Sequence, residues 1–255
     1  DLSPSKARSP ARRPGFSVSA GRRSRLDSVL MTAFVYLFVV QPISRLPMAI
    51  LYTFSDVGFF LVYFVARYRR RVVSENLARA LPDRSPAERS RIERGFYRHF
   101  TDLIAESLKG FSISRSEILR RFRVVNPEVL EPFARAGRPI VLAGGHYNNW
   151  EWFAIATRPQ VAMRTIAIYK PLSNEVLDSK MRKTRERFGL EMLPMREVPG
   201  FFREAAKNPK ADPFMMAFAA DQSPGDPRKA FWSRFLGLET GLLCGPEKCA
   251  KEYDL

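Results

Sequence analysis

Two residue types that build most metal and disulfide sites are scarce in this 255-residue chain, which has two cysteines and two histidines. Cys244 and Cys249 stand close together with no second pair. That excludes a disulfide framework and a zinc site, and it reads as small buried hydrophobes in a reducing compartment. With only His99 and His146, a multi-histidine metal centre is excluded too. No Gly-x-Ser-x-Gly elbow is present, which sets a usual hydrolase aside. Neither zinc-finger spacing nor an RNP-type aromatic strand occurs, so nucleic acid is not the expected partner. Acidic residues are also in short supply: 26 Asp and Glu stand against 42 Lys and Arg, a net charge of +16. Such a surplus by itself favours anionic partners as a class: nucleic acid, phospholipid headgroups or an acidic protein.

Residues 1–25 are rich in Pro, Ser, Gly and Arg and nearly lack large apolar side chains. They read as a disordered basic tail, and the composition is one a transit peptide shares. Residues 26–71 hold two apolar runs. Val29 to Val40 is interrupted only by Thr32. As a helix it covers about 18 Å, too short to cross a bilayer alone. Pro47 to Ala66 is long enough to reach across roughly 30 Å of hydrocarbon, but carries Asp56 in its middle, which is costly in lipid. One kinked membrane helix or two helices lying in the interface both fit. A buried soluble helix pair is the alternative. Arg67, Arg69, Arg70 and Arg71 follow at once, which marks the cytoplasmic side and attracts anionic lipid.

Residues 72–255 read as one folded domain. Ser85-Pro86-Ala87-Glu88 is a capping box opening a helix to Gly110. Its apolar recurrence at Ile92, Phe96, Phe100, Leu103, Ile104 and Leu108 predicts the buried stripe. His99 lies at the edge of that stripe and reads as structural. From Pro139 onward short apolar strands alternate with helical stretches. Strands are expected near 140–143, 161–169, 190–193 and 214–220, with helices near 174–188 and 197–207. This is an α/β pattern with a mostly parallel sheet, whose ligands sit beyond the C-terminal ends of the strands. His146 and Asp221 fall at such ends.

Gly144-Gly145-His146-Tyr147-Asn148-Asn149-Trp150-Glu151 carries the chemistry. With Asn148 as N-cap, Glu151 takes the reach-back position and His146 lies in the turn before the helix. Glu151 can then fold back to one ring nitrogen of His146, fixing its tautomer and leaving the other nitrogen as a base. The spacing alone leaves a second reading open, in which Glu151 is only a helix cap and His146 a loop residue.

These residues resemble the His-x4-Asp/Glu motif of the lysophospholipid acyltransferase superfamily. More narrowly, the chain resembles the lipid A biosynthesis late acyltransferases, the lauroyl/myristoyl transferase group. The likeness extends through Tyr169-Lys170-Pro171 with Asn174, Arg185 on the next helix with Arg182 a close rival, and Ala220-Asp221-Gln222. It continues through Phe231-Trp232, Phe235-Leu236-Gly237, Thr240 and Gly245-Pro246. Lys170 stands where the group often has Arg. The group usually continues with another strand and helix, so the chain reads as truncated at its C-terminus.

The resemblance implies a glycerol-3-phosphate acyltransferase-like fold, a central mostly parallel sheet flanked by helices behind a membrane-associated helical segment. It implies transfer of a fatty acyl group from acyl carrier protein or acyl-CoA to a hydroxyl of a lipid A precursor. No cofactor or metal is implied. His146 would be the base and Glu151 its orienter. Arg185, Asp221, Arg182, Lys170 and Asn149 are the candidates for substrate binding. Arg185 or the amides of the helix after Asn148 would face the oxyanion, and Asp221 would hold Arg185. The expected location is the bacterial inner membrane, with the domain facing the cytoplasm. The rival readings are a glycerolipid or amino-acid lipid as acceptor, or a non-catalytic basic protein bound to membrane.

Overall fold

In the computed structural model the described residues are 29–207 and 212–253. The basic tail at 1–25 lies outside them. The two apolar runs form helices α1, Val29–Arg45, and α2, Met48–Val65. Leu46 precedes a proline and takes an extended conformation, φ −60° and ψ 149°, which ends the first helix before the second begins. Both helices contain a π-helical turn, at Tyr36–Val40 and Leu61–Val65. Among the described residues α2 is the one helix long and apolar enough to cross a membrane. Helix α3 follows at Arg70–Ala80.

Helix α4, Pro86–Gly110, opens on the expected capping box. Glu88 N–H donates to Ser85 Oγ, and Ser85 N–H donates to Glu88 Oε2 at 2.9 Å. Such a cap contributes ~1 kcal/mol. Its buried face is not the expected one. Glu93, Tyr97, Thr101, Ala105 and Lys109 are buried, while Ile92, Phe96 and Ile104 are 39, 46 and 46% exposed. His99 is exposed. Tertiary partners decide the face, because α2 lies along α4 and meets it with polar groups. Ser55 Oγ donates to Asp102 at 2.6 Å, and Tyr52 OH donates to Glu106 Oε1 at 2.8 Å. Of the apolar stripe, Ile92, Phe96 and Ile104 are left facing outward, and Phe100, Leu103 and Leu108 are half-buried.

Helices α5, Arg115–Arg121, and α6, Glu131–Arg135, lead to strand β1, Ile140–Gly144. Helix α7, Trp150–Ala156, then strand β2, Arg164–Tyr169, and helix α8, Glu175–Glu186, follow. Strand β3, Glu191–Pro194, helix α9, Val198–Lys207, and strand β4, Phe214–Ala219, complete the main sheet. Its order is β1-β4-β2-β3 and all its pairings are parallel. The expected α/β architecture is therefore present. Strand β4 is central, and alternate side chains serve opposite faces. Phe214 and Met216 pack with Ile166, Val198 and Phe202, whereas Met215 packs with Val161 and Met163.

A third cluster ties the N-terminal helices to the domain. Met48 and Leu51 of α2 share one core with Ala105, Ile113, Ile118, Trp152 and Ile155. Burying Leu51 or Ile155 contributes about 1.5–3 kcal/mol each. The sequence pattern did not anticipate the antiparallel hairpin of β5, Ala230–Phe235, and β6, Leu238–Leu243. Leu236 and Gly237 both have positive φ at its tip, 50° and 76°, the geometry of a two-residue turn that suits strand twist. Helix α10, Gly245–Tyr253, lays Tyr253 on Phe202 with ring centroids 4.2 Å apart.

Candidate active site

Since β1 and β4 are parallel neighbours, the loops that leave them emerge side by side. Gly144 pairs with Ala219, and Ala220 N–H donates to Gly144 O at 2.8 Å. Two residues past Gly144 and one past Ala220, the chain places His146 against Asp221. The backbone N–H of His146 donates to Asp221 Oδ2 at 2.6 Å, and His146 Nδ1 meets Asp221 Oδ1 at 2.8 Å. Gly145 makes that approach possible. A Cβ there would lie 3.0 Å from Asp221 Cγ and 3.1 Å from its Oδ2. The His146 ring is also held edge-on by Trp150, centroids 5.1 Å apart.

The carboxylate at His146 is thus Asp221 and not Glu151. An ionised carboxylate only accepts, so Nδ1 carries the ring hydrogen and the Nε2 lone pair is left as the base. Partial burial pushes the Asp221 carboxyl up. Hydrogen bonds from the His146 side chain, the His146 amide and its own amide outweigh that, and the group sits below the ordinary carboxylate range.

Glu151 has a different partner. Arg185 on α8 holds it through two parallel bonds, Nε to Oε2 at 2.9 Å and Nη2 to Oε1 at 2.6 Å. The two side chains are 14 and 22% exposed for Glu151 and Arg185. The expected pairings are therefore exchanged: Asp221 serves His146, and Glu151 serves Arg185. This fork leaves Arg185 with Nη1 and part of Nη2 to donate elsewhere. Arg182 instead bonds Glu186 on its own helix at 2.8 Å. Lys170 is exposed just past the end of β2, at the same edge of the sheet as His146 and Asp221.

The helix cap also differs from expectation. Asn148 has φ 55°, a left-handed conformation that asparagine tolerates well. Asn149 is the cap, its side chain accepting from Trp152 N–H at 2.9 Å. His146 stays in the preceding turn, as expected, but Glu151 loses the reach-back position. Asn149 is buried, and its amide donates to Glu106 Oε2 at 2.6 Å. The Asn149 side chain thus caps α7 and ties it to α4.

Glu106 was missed in the sequence. Its carboxylate joins Tyr52 of α2 to Asn149 at the start of α7, and its backbone O accepts from Trp152 Nε1 at 2.9 Å. No spacing rule joins positions 52, 106 and 149. Only the place of Glu106 on the polar side of α4, away from its apolar stripe, hinted at a partner.

The match to known proteins now bears on this geometry. The family model described as bacterial lipid A biosynthesis acyltransferase matches residues 20–255. The chain belongs to that family. No curated protein matches it. For a bacterial lipid A biosynthesis acyltransferase, acyl transfer is the reaction to be explained, and it calls for a base and an acyl donor. The acyltransferase fold here supplies a histidine with a carboxylate on one ring nitrogen, at the sheet edge where α/β proteins bind ligands.

Proposed function

We propose that the protein moves a fatty acyl group from an acyl thioester, carried by acyl carrier protein or coenzyme A, to a hydroxyl of a lipid A precursor. The observation that carries this reading is the His146–Asp221 pair, with Nε2 free to act, at the C-terminal edge of the parallel sheet. Nε2 takes the proton as the acceptor oxygen attacks the thioester carbonyl. Asp221 keeps the ring in the right tautomer and stabilises the imidazolium that forms. As the tetrahedral intermediate collapses, the C–S bond breaks and the thiolate leaves with the proton returned by His146. The ester bond to the acceptor remains, and no acyl-enzyme is needed.

The oxyanion of that intermediate needs a donor. The amides of Trp150, Trp152 and Phe153 at the start of α7 are taken by Asn148 O, Asn149 Oδ1 and Asn149 O. Arg185 has hydrogens to spare, and Glu151 fixes its plane. It serves as the oxyanion donor or as the ligand of a substrate phosphate, with the Glu151 amide at the start of α7 as a second candidate donor, and Lys170 adds positive charge at the same edge of the sheet. The apolar helices α1 and α2 and the arginines after them attach the protein to an anionic membrane. In this reading that is the inner membrane, with the domain on its cytoplasmic side.

The test is an acyl-transfer assay on the purified chain with a lipid A precursor, run in parallel with acyl carrier protein and coenzyme A thioesters. Transfer with one donor supports the reading and assigns the donor. Transfer to a glycerolipid acceptor alone would replace the lipid A precursor in this proposal.

A further inference from the structure

Helix α2 has the length and hydropathy of a membrane span, yet its neighbour cannot follow it across. Helix α4 lies antiparallel along nearly all of α2. Tyr52 bonds Glu106, Ser55 bonds Asp102, the Arg98 guanidinium lies 5.3 Å over the Phe59 ring, and Tyr63 meets Tyr97 at 5.3 Å between centroids. Every level of α2 is thus matched by a level of α4. A pose that carries α2 through hydrocarbon carries Arg94, Arg98, His99, Asp102 and Glu106 in with it. Arg94, Arg98 and His99 are exposed, and so is Asp56 near the middle of α2. Exposed charges at that depth are strongly disfavoured.

The outward surface of α2 is nevertheless apolar. Ile50, Val57 and Phe64, spaced by seven residues on one face, are 42, 54 and 48% exposed, and Phe54, Phe60 and Leu61 lie beside them. Exposed Arg67, Arg69 and Arg71 follow directly. An apolar face bordered by cations fits an anionic leaflet entered from the side.

We infer that α2 does not cross the membrane but lies along it, with the Ile50–Val57–Phe64 face in the outer part of one leaflet and the adjoining charges of α4 in water. The inference rests on the membrane attachment proposed above and refines its geometry.

Depth-dependent quenching tests it. In a Cys244→Ser/Cys249→Ser background, Ile50→Cys, Val57→Cys and Phe64→Cys are each labelled with a fluorophore. The full chain is bound to vesicles of phosphatidylcholine and phosphatidylglycerol containing lipids spin-labelled at known depths. The three labels should report one shallow depth, within about 5–10 Å of the headgroup boundary. A progressive change of about 21 Å from position 50 to position 64, the rise of a spanning helix, would overturn the inference. A His99→Cys variant provides an independent reading. It should react with a membrane-impermeant maleimide in sealed vesicles, and full protection would contradict the in-plane pose. Failure of the chain to bind these vesicles would remove the attachment and this inference with it. A depth ramp would remove the orientation alone, and neither result touches the chemistry of His146.

Discussion

Replacing Asp221 by Asn is the perturbation that best separates the observed arrangement from the one the spacing of His146 and Glu151 implied. Asp221 accepts at both oxygens, from the His146 amide and from Nδ1, at 2.6 and 2.8 Å. Asparagine offers one oxygen and one NH2. If its oxygen keeps the amide, its NH2 faces Nδ1, which must then accept. The ring hydrogen moves to Nε2 and the base is lost. A wrong tautomer of this kind costs up to about 10^4 in rate. With the Asp221 side chain 42% exposed, water competes for the ring, and a loss of about 10^2–10^4 in kcat with little change in KM is expected. That corresponds to about 3–5 kcal/mol of transition-state stabilisation. Glu151→Gln leaves the ring untouched but breaks the fork to Arg185. It should cost stability, about 1–3 kcal/mol after allowance for partial exposure, or a Tm drop of roughly 2–10 °C, and, through a less firmly held Arg185, a loss of kcat smaller than that of Asp221→Asn. Steady-state kinetics and thermal unfolding on both variants decide the matter. If Glu151→Gln loses more kcat than Asp221→Asn, or Asp221→Asn stays within about threefold of the unaltered protein, the reasoning from this geometry is refuted.

Three further outcomes follow from the same geometry. Gly145→Ala puts a Cβ 3.0 Å from Asp221 Cγ, so transfer should fall by about tenfold or more with Tm nearly kept; unchanged kinetics would show that the pair tolerates displacement. Glu106→Gln turns one of its two acceptors into a donor facing Tyr52 or Asn149, which should cost about 1–3 kcal/mol in a denaturant series; an unchanged midpoint would mean that these bonds contribute nothing net. Because the folded state holds Asp221 below its ordinary range, its contribution to stability is present above the unfolded value, near 3.9, and is lost as pH falls through the lower folded value. Asp221→Asn should therefore flatten part of the acid limb of stability, as unfolding curves taken stepwise below pH 6 would show.

Much of the fold was legible from pattern. The strands alternating with helices after Pro139, the capping box at Ser85 and the placement of His146 and Asp221 at strand ends are local signals, and the structure carries each of them. What failed was long-range. Asn148 and Asn149 are equally good caps by composition, and only the backbone distinguishes them, through the left-handed φ of Asn148. Glu151 lies near His146 in sequence and Asp221 lies far away, yet the parallel pairing of β1 with β4 brings the distant residue to the ring. The apolar stripe of α4 followed helical periodicity, but half of it, Ile92, Phe96 and Ile104, faces outward, because α2 presents Tyr52 and Ser55 to the polar side. Glu106 could not be seen for the same reason, since its partners lie on two other helices.

Whether His146 is the base of an acyl transfer is decided by single-turnover transfer with the His146→Ala variant. With the donor in hand and excess lipid A precursor, the variant should transfer at least about 10^2-fold more slowly while keeping its melting temperature and vesicle binding. Transfer at the rate of the unaltered protein would show that His146 is not the base.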